Sequence, residues 1–306
     1  KQMLTTISIS IAAAIVVTLR KRKFLYKDES HTMRKIKSIC DSSKCIVVTD
    51  FDHTMTGFRT PRNEKVPQCH DAIEKSKRFA DVKGWKCAWD TLWENQKKEY
   101  GTPEYEMATW WKRAHSILIK HGFRKSDIST LVDEYENIIH IRDGIREIFQ
   151  LCEKKDIPIV IVSAGITDFI REILRRKGID VSSNRVVICS NEMIFNKDGL
   201  LERFTSPVVH AESKGKIRSL RKEFFERYKD RTNVILMGDS ICDPEASQNI
   251  SNKKTCISIG FLDLPNEDGS FGWRHKLLSV YSDIYDILIP DDGSARCVVG
   301  MINNLK

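Results

Sequence analysis

At 306 residues the chain can hold one large domain or two, and 41% hydrophobic residues with 15 Gly and 8 Pro describe an ordinary folded core without repeats or low-complexity segments. The net charge of +8 sits at the start: residues 1–40 carry nine Lys or Arg against Asp28 and Glu29, so the remaining chain has a net of only +1. A near-neutral body gives no electrostatic case for a nucleic-acid partner, and nine scattered cysteines without paired metal spacing fit reduced thiols in the cytosol.

Leu4 to Leu19 contains no charge, and Arg20-Lys21-Arg22-Lys23 follows at once. As a helix this run spans about 24 Å, against about 30 Å for a hydrocarbon core. It is read as an N-terminal hydrophobic helix and membrane anchor, with an interfacial helix or a transit segment as the other readings. The basic cluster would stay on the cytosolic side. This places the folded body in the cytosol, anchored to an intracellular membrane such as the endoplasmic reticulum.

Ile46-Val47-Val48 reads as a buried parallel strand. Pro67 to Arg142 is rich in charge and helical spacings, with Ile117, Leu118, Ile128, Leu131 and Val132 at three- and four-residue steps. It holds five of the six tryptophans and is expected to be a helical insertion. Beyond Asp143 the alternation is regular. Helices are predicted over Ile145–Glu153, from Ile166 to a stop at Gly178, and over Ile217–Tyr228. Strands are predicted at Ile157–Val162, Arg185–Cys189, Asn233–Met237, Cys256–Ile259 and Tyr285–Ile289, and a hairpin over Met193–Phe204 turns at Asn196 to Gly199. Alternating strands and helices mean a mostly parallel sheet wrapped on both faces. The expected fold is α/β, a Rossmann-like core with an inserted helical cap. The expected domains are residues 1–40 as hydrophobic segment and basic linker, 41–62 with 143–306 as core, and 63–142 as cap.

Four fragments at predicted strand ends carry chemistry. Asp50 and Asp52 leave the first strand toward the same side, and two close carboxylates favour a bound cation. Ser163-Ala164-Gly165 offers a hydroxyl and a backbone N–H to a phosphate oxygen. Lys214 can neutralise a phosphoryl group. Gly238 permits a tight turn that brings Asp239 and Asp243 to the same rim. Each fragment alone is weak; in this order they describe phosphoryl transfer through an aspartyl-phosphate. Asp50 attacks phosphorus, and Asp52 protonates the leaving alkoxide and then activates water. Mg²⁺ fits an all-oxygen site made by the Asp50 carboxylate, the Asp52 carbonyl and the Asp239 carboxylate, with Asp243 holding a metal-bound water. Ser163, the Ala164 N–H and Lys214 receive the phosphoryl oxygens.

These residues resemble the haloacid dehalogenase superfamily of phosphatases, and more closely its type III cytosolic pyrimidine 5′-nucleotidase family. The likeness runs over nearly all of residues 45–306: Cys69-His70, Ile157-Pro158 leading to Ser163-Ala164-Gly165-Ile166, Ser190-Asn191, His210 with Lys214, and Tyr281 to Asp286 are similar to that family. The resemblance implies a Rossmann-like core with a helical cap and Mg²⁺-dependent hydrolysis of nucleoside 5′-monophosphates, pyrimidine type foremost. It also implies some phosphotransfer to other nucleosides. Departures lie in the cap. Ala114 stands where the family usually has serine, before His115. Thr109 replaces a glutamate ahead of Trp110-Trp111. A further family glutamate contacts the base, and Glu94 in Leu92-Trp93-Glu94-Asn95-Gln96 is its counterpart, without the Asp-Pro that normally follows. Competing readings are a phosphatase for another small phosphomonoester and a catalytically silent, membrane-tethered nucleotide binder.

Overall fold

The computed structural model describes residues 25–82, 103–263, 271–290 and 292–306. The elements in chain order are β1 (Leu25–Tyr26), α1 (Glu29–Ser38), β2 (Cys45–Thr49), α2 (Cys69–Glu74), α3 (Pro103–Lys120), α4 (Lys125–Tyr135), α5 (Ile145–Lys154), β3 (Ile159–Ile166) and α6 (Thr167–Arg176). They continue with β4 (Val186–Asn191), β5 (Met193–Phe195), β6 (Leu201–Phe204), α7 (Lys222–Arg227), β7 (Asn233–Gly238), β8 (Thr255–Leu262), α8 (Phe271–Ile284), β9 (Ile287–Pro290) and α9 (Arg296–Asn303).

The main sheet has seven strands in the order β1-β9-β8-β7-β2-β3-β4. All its pairings are parallel except β1 with β9. Its central strands are continuous apolar runs because both faces are covered. Val47, Ile159, Ile161, Ile235 and Ile257 enter one core, with Ile36, Ile148 and Phe169 from the helices. Their neighbours Ile46, Val48, Val160, Val234 and Leu236 enter a second core with Phe225 and Ile250. The chain winds outward from β2 through β3 to β4, then returns to β7 on the other side of β2. That reversal opens a crevice at the carboxyl ends of β2 and β7, the usual ligand position in such sheets.

The mostly parallel α/β architecture agrees with the sequence expectation, and the Met193–Phe204 hairpin forms as β5 and β6. Several boundaries differ. Strand β3 runs on through Ser163-Ala164-Gly165 to Ile166, and its ladder with β4 shifts between Val162 and Ile166. The expected helix over Ile217–Tyr228 is α-helical only at Lys222–Arg227, after 3₁₀ turns at Ala211–Lys216 and Arg218–Arg221. The stretch read as basic linker carries β1 and α1. Asp28 caps α1 by accepting from the His31 N–H, and Lys35 pairs with Asp286 at 2.7 Å. Between β2 and β3 the described residues hold four helices, α2 to α5, and no strand of the main sheet. No described helix is long and apolar enough to cross a membrane. The Leu4–Leu19 run lies outside the described residues, as do Trp85, Trp89, Trp93 and Glu94.

Candidate active site

Asp50 follows β2 directly, and its N–H bonds the Met237 carbonyl of β7 at 3.0 Å, tying the two strand ends together. The turn behind it needs His53 in the left-handed region at φ 62°, a conformation a non-glycine residue holds only when its surroundings fix it. Those surroundings are explicit. Thr56 Oγ1 accepts from the His53 N–H at 2.8 Å. The buried Arg142 guanidinium donates to the carbonyls of His53, Thr54 and Gly293 at 2.6–2.8 Å.

Strand β7 delivers Asp239 and, one short turn later, Asp243. Gly238 is required here: a Cβ would lie 2.4 Å from the Asp243 Cβ and 2.7 Å from the Tyr285 hydroxyl. Asp243 Oδ2 accepts from the N–H groups of Asp239 and Ser240, each at 2.8 Å. Tyr281 donates to the Asp239 carbonyl at 2.9 Å and Tyr285 to the Ser240 carbonyl at 2.5 Å. Lys214 enters from the 3₁₀ turn and is 4% exposed. Its ammonium donates to Asp50 Oδ1 at 2.7 Å and Asp243 Oδ1 at 2.6 Å, which leaves one of its three donors for a ligand.

Carboxylate oxygens of Asp50, Asp239 and Asp243 lie within 4.8 Å of one another. Thr54 Oγ1 donates to Asp239 Oδ1 at 3.1 Å. Burial raises the pKa of Asp50, Asp239 and Asp52. Asp50 is pushed above the usual carboxylate range by desolvation, opposed by Lys214 and assisted by Asp243. Asp239 is pushed well above it by desolvation, then by Asp243 and Asp50. Asp52 is raised to about 7 by desolvation and the Asp50 charge, against two hydrogen bonds from Cys69. Lys214 itself loses by burial, but Asp243 and Asp50 outweigh that loss and hold it as an ammonium. Acids crowded and buried to this degree present an oxygen donor set with a deficit of positive charge, the chemistry a hard divalent cation satisfies.

Ser163, at 1% exposure, accepts the Gly165 N–H on its hydroxyl oxygen at 3.0 Å, and its O–H remains to donate. The backbone there is held from β4: Ser190 Oγ donates to the Gly165 carbonyl at 2.7 Å, and Asn191 Nδ2 to the carbonyls of Ala164 and Val209 at 2.9 Å each.

A cavity of about 250 Å³ opens over these groups. Asp50, Asp52, Ser163, Lys214 and Asp239 line its floor; His70, Met107, Trp110 and Trp111 line its wall. The Trp110 and Trp111 rings meet at 4.4 Å and 76°, and His70 sits 3.9 Å from Trp111. The buried His70 Nε2 and Trp111 Nε1 have no hydrogen-bond partner among the described residues. His70 is held neutral, its pKa driven well below 6.5 by burial and by His115. The structure thus brings together Asp50, Asp52, Ser163, Ala164, Lys214, Asp239 and Asp243. Asp243 serves first as an anchor for Lys214 and the 239–240 turn. Arg142 and Met107 carried no sequence signal, and Cys69 none beyond its place in the family resemblance.

A switch-point crevice in a parallel sheet, floored by carboxylates, a lysine and a serine, is suited to binding a phosphoryl group. The family model for pyrimidine 5′-nucleotidase (UMPH-1) matches residues 53–306. The chain belongs to this family and is an enzyme of its class, a 5′-nucleotidase acting as a phosphoric monoester hydrolase. It is 29% identical over 298 residues to the 7-methylguanosine phosphate-specific 5′-nucleotidase of Gallus gallus, covering 94% of this chain and 98% of the relative. The Homo sapiens protein of the same description is 28% identical over 264 residues, with 85% and 84% covered. In fold, the chain matches the crystal structure of cytosolic 5′-nucleotidase IIIB bound to cytidine with a TM-score of 0.75 at 24% identity, over 94% of this chain and 95% of that one. It matches a HAD family hydrolase from Salmonella enterica at 0.52 and 14% identity, over 87% and 73%.

Proposed function

We propose that the chain hydrolyses nucleoside 5′-monophosphates to nucleoside and phosphate through an aspartyl-phosphate on Asp50, with Mg²⁺ as cofactor. The observation that carries this reading is the buried Asp50–Lys214–Asp243 ion triad with Asp239 and Ser163 in one cavity. Asp50 attacks phosphorus. Asp52 gives its proton to the departing nucleoside oxygen and then takes one from the water that cleaves the acyl phosphate. The third Lys214 donor, the Ser163 hydroxyl and the Ala164 N–H receive the phosphoryl oxygens as charge builds on them. The Asp50 and Asp239 carboxylates with the Asp52 carbonyl would hold Mg²⁺, whose charge offsets that of the carboxylates and the phosphoryl group.

The base lies against the Trp110–Trp111 wall, with Glu94 as its polar contact. A pyrimidine of the cytosine type is the foremost substrate. The family's description supports a pyrimidine, and the cytidine in the structural neighbour and the 7-methylguanosine phosphate named for the relatives support a base bearing an exocyclic amine. Residues 63–142 act as a cap on the core formed by 41–62 and 143–306. The two connecting segments pair at Thr56 and Ile141, and the Arg142 N–H bonds the Met55 carbonyl at 2.9 Å.

Phosphate release from a panel of nucleoside 5′-monophosphates and base-free phosphomonoesters, with and without Mg²⁺, tests the reading. The expected result is Mg²⁺-dependent release, fastest from a cytosine or 7-methylguanine nucleotide. Equal rates on base-free esters would make the chain a general small-phosphomonoester phosphatase.

A further inference from the structure

Each carboxylate at the switch point has its own support. Asp50 has Lys214, Asp239 has Thr54, and Asp243 has Lys214 with two backbone N–H groups. Asp52 is held differently. Its Oδ1 accepts two hydrogen bonds from one residue, the Cys69 backbone N–H at 3.1 Å and the Cys69 thiol at 3.3 Å. Among the described residues, no other group hydrogen-bonds this carboxylate, so Oδ2 is left without a protein partner in a residue that lines the cavity. Cys69 itself cannot wander. It is 1% exposed, and Gly165 presses against it so closely that a Cβ there would lie 2.8 Å from the sulfur.

We propose that Cys69 is a positioning residue for the reaction: it grips Asp52 by Oδ1 and so keeps the transferable proton on Oδ2. The inference rests on the general-acid role given to Asp52 above. A carboxyl group in its acid form carries one proton on one oxygen, and two N–H and S–H donors aimed at Oδ1 leave that oxygen only as an acceptor. The proton therefore resides on Oδ2. It passes to the bridging oxygen as the phosphorus–oxygen bond to the nucleoside breaks. The resulting carboxylate recovers a proton from water as the water oxygen attacks the phosphorus of the acyl phosphate. A partner that fixes which atom of an acid–base group bears the proton plays the part that outer-shell partners play for histidine ligands. Without the thiol the carboxyl group is held by a single bond and can turn, presenting the wrong oxygen to the leaving group.

The test compares leaving groups. A ribose alkoxide needs protonation to depart, whereas p-nitrophenolate does not. In single-turnover experiments Cys69→Ala is expected to slow nucleoside release from the preferred nucleotide by about tenfold, the worth of one hydrogen bond, with KM unchanged. Release of p-nitrophenol from p-nitrophenyl phosphate should stay within about twofold of wild type. Cys69→Ser, which keeps a donor, should recover the nucleoside rate to within about threefold. The ratio between the two leaving groups does not depend on how much of a variant is folded. Equal losses on both, or a serine variant no better than alanine, would overturn the positioning role. Asp52→Asn separates the two levels of the argument. If it slows only nucleoside release while Cys69→Ala slows both alike, the positioning role alone fails. If Asp52→Asn slows both alike, the general-acid assignment fails and takes this inference with it.

Discussion

The floor and the wall of the cavity are built on opposite plans. On the floor nearly every polar group is already engaged inside the protein: Asp243 by three donors, Lys214 by two carboxylates, Ser163 by a backbone N–H. On the wall, His70 Nε2 and Trp111 Nε1 are buried without a hydrogen-bond partner among the described residues, beside aromatic faces. A buried polar atom left unpaired costs about 1–3 kcal/mol, so it is tolerated where a ligand completes it. The difference separates the two tasks. Phosphoryl chemistry is the same for every substrate and can be preorganised from strand ends. Under the function proposed, the nucleoside supplies the partners that the wall lacks.

The comparison predicts that damage to the floor is large and indifferent to the base. Asp50→Asn keeps the shape but removes the attacking charge, and turnover should fall by at least about a thousandfold on every phosphomonoester. Turnover within tenfold of wild type would dismiss the covalent route. Lys214→Met leaves Asp50 and Asp243 buried without their cation. It should lower kcat by about a hundredfold or more and destabilise the fold by about 3–5 kcal/mol, both readable from kinetics and denaturant melts. A stable, active Lys214→Met protein would show that the triad is not the centre of the site.

Damage to the wall should be smaller and should depend on the base. Trp110→Ala is expected to raise KM for the preferred nucleotide by about tenfold, the loss of one stacked base, and to leave a base-free sugar phosphate unaffected. Glu94→Ala should behave in the same way if it receives the base's amine. A loss shared equally by both substrates would instead mark either residue as a support of the wall.

The smallest expected effect is the change of wild-type stability with pH and Mg²⁺. Asp52 titrates near 7 in the fold because of burial and Asp50, against roughly 4 for an unfolded aspartate. The folded chain therefore holds more protons than the unfolded one between those values. Its contribution to stability is complete below pH 4 and is lost as pH rises through 7. A cation bound among the carboxylates works in the opposite sense, because protons compete with it. Saturating Mg²⁺ should raise Tm by roughly 3 °C at pH 8 and by less at pH 5. The reverse order in differential scanning calorimetry would remove the cation from this site.

The floor was legible in the sequence because its residues stand at the ends of apolar strands, where a parallel sheet must deliver them to one edge. Asp50, Ser163 and Asp239 follow β-branched or aliphatic runs, and Gly238 signals the turn between them. What holds those residues was not legible. Cys69 reaches Asp52 across 17 positions, Asn191 reaches Ala164 across 27, and Tyr281 reaches Asp239 across 42, and no local pattern records such pairs. Strand β1 is only two residues long, and its pairing with β9 rests on tertiary contact, so periodicity had nothing to detect. The helix expected from Ile217 shortened for a related reason. Asn249 takes the Ile217 N–H at 3.0 Å and the Lys214 carbonyl at 2.7 Å, holding the 3₁₀ turns that bring Lys214 into the site.

The central claim is that phosphate passes through Asp50. Wild-type enzyme and Asp52→Asn are mixed with the preferred nucleotide and Mg²⁺, quenched in acid within one turnover, digested, and read by mass spectrometry. The account predicts a phosphoryl group on the peptide carrying Asp50, accumulating further in Asp52→Asn because hydrolysis of the acyl phosphate lacks its base. Nucleoside released at full rate with no phosphorylated peptide in either protein would contradict it.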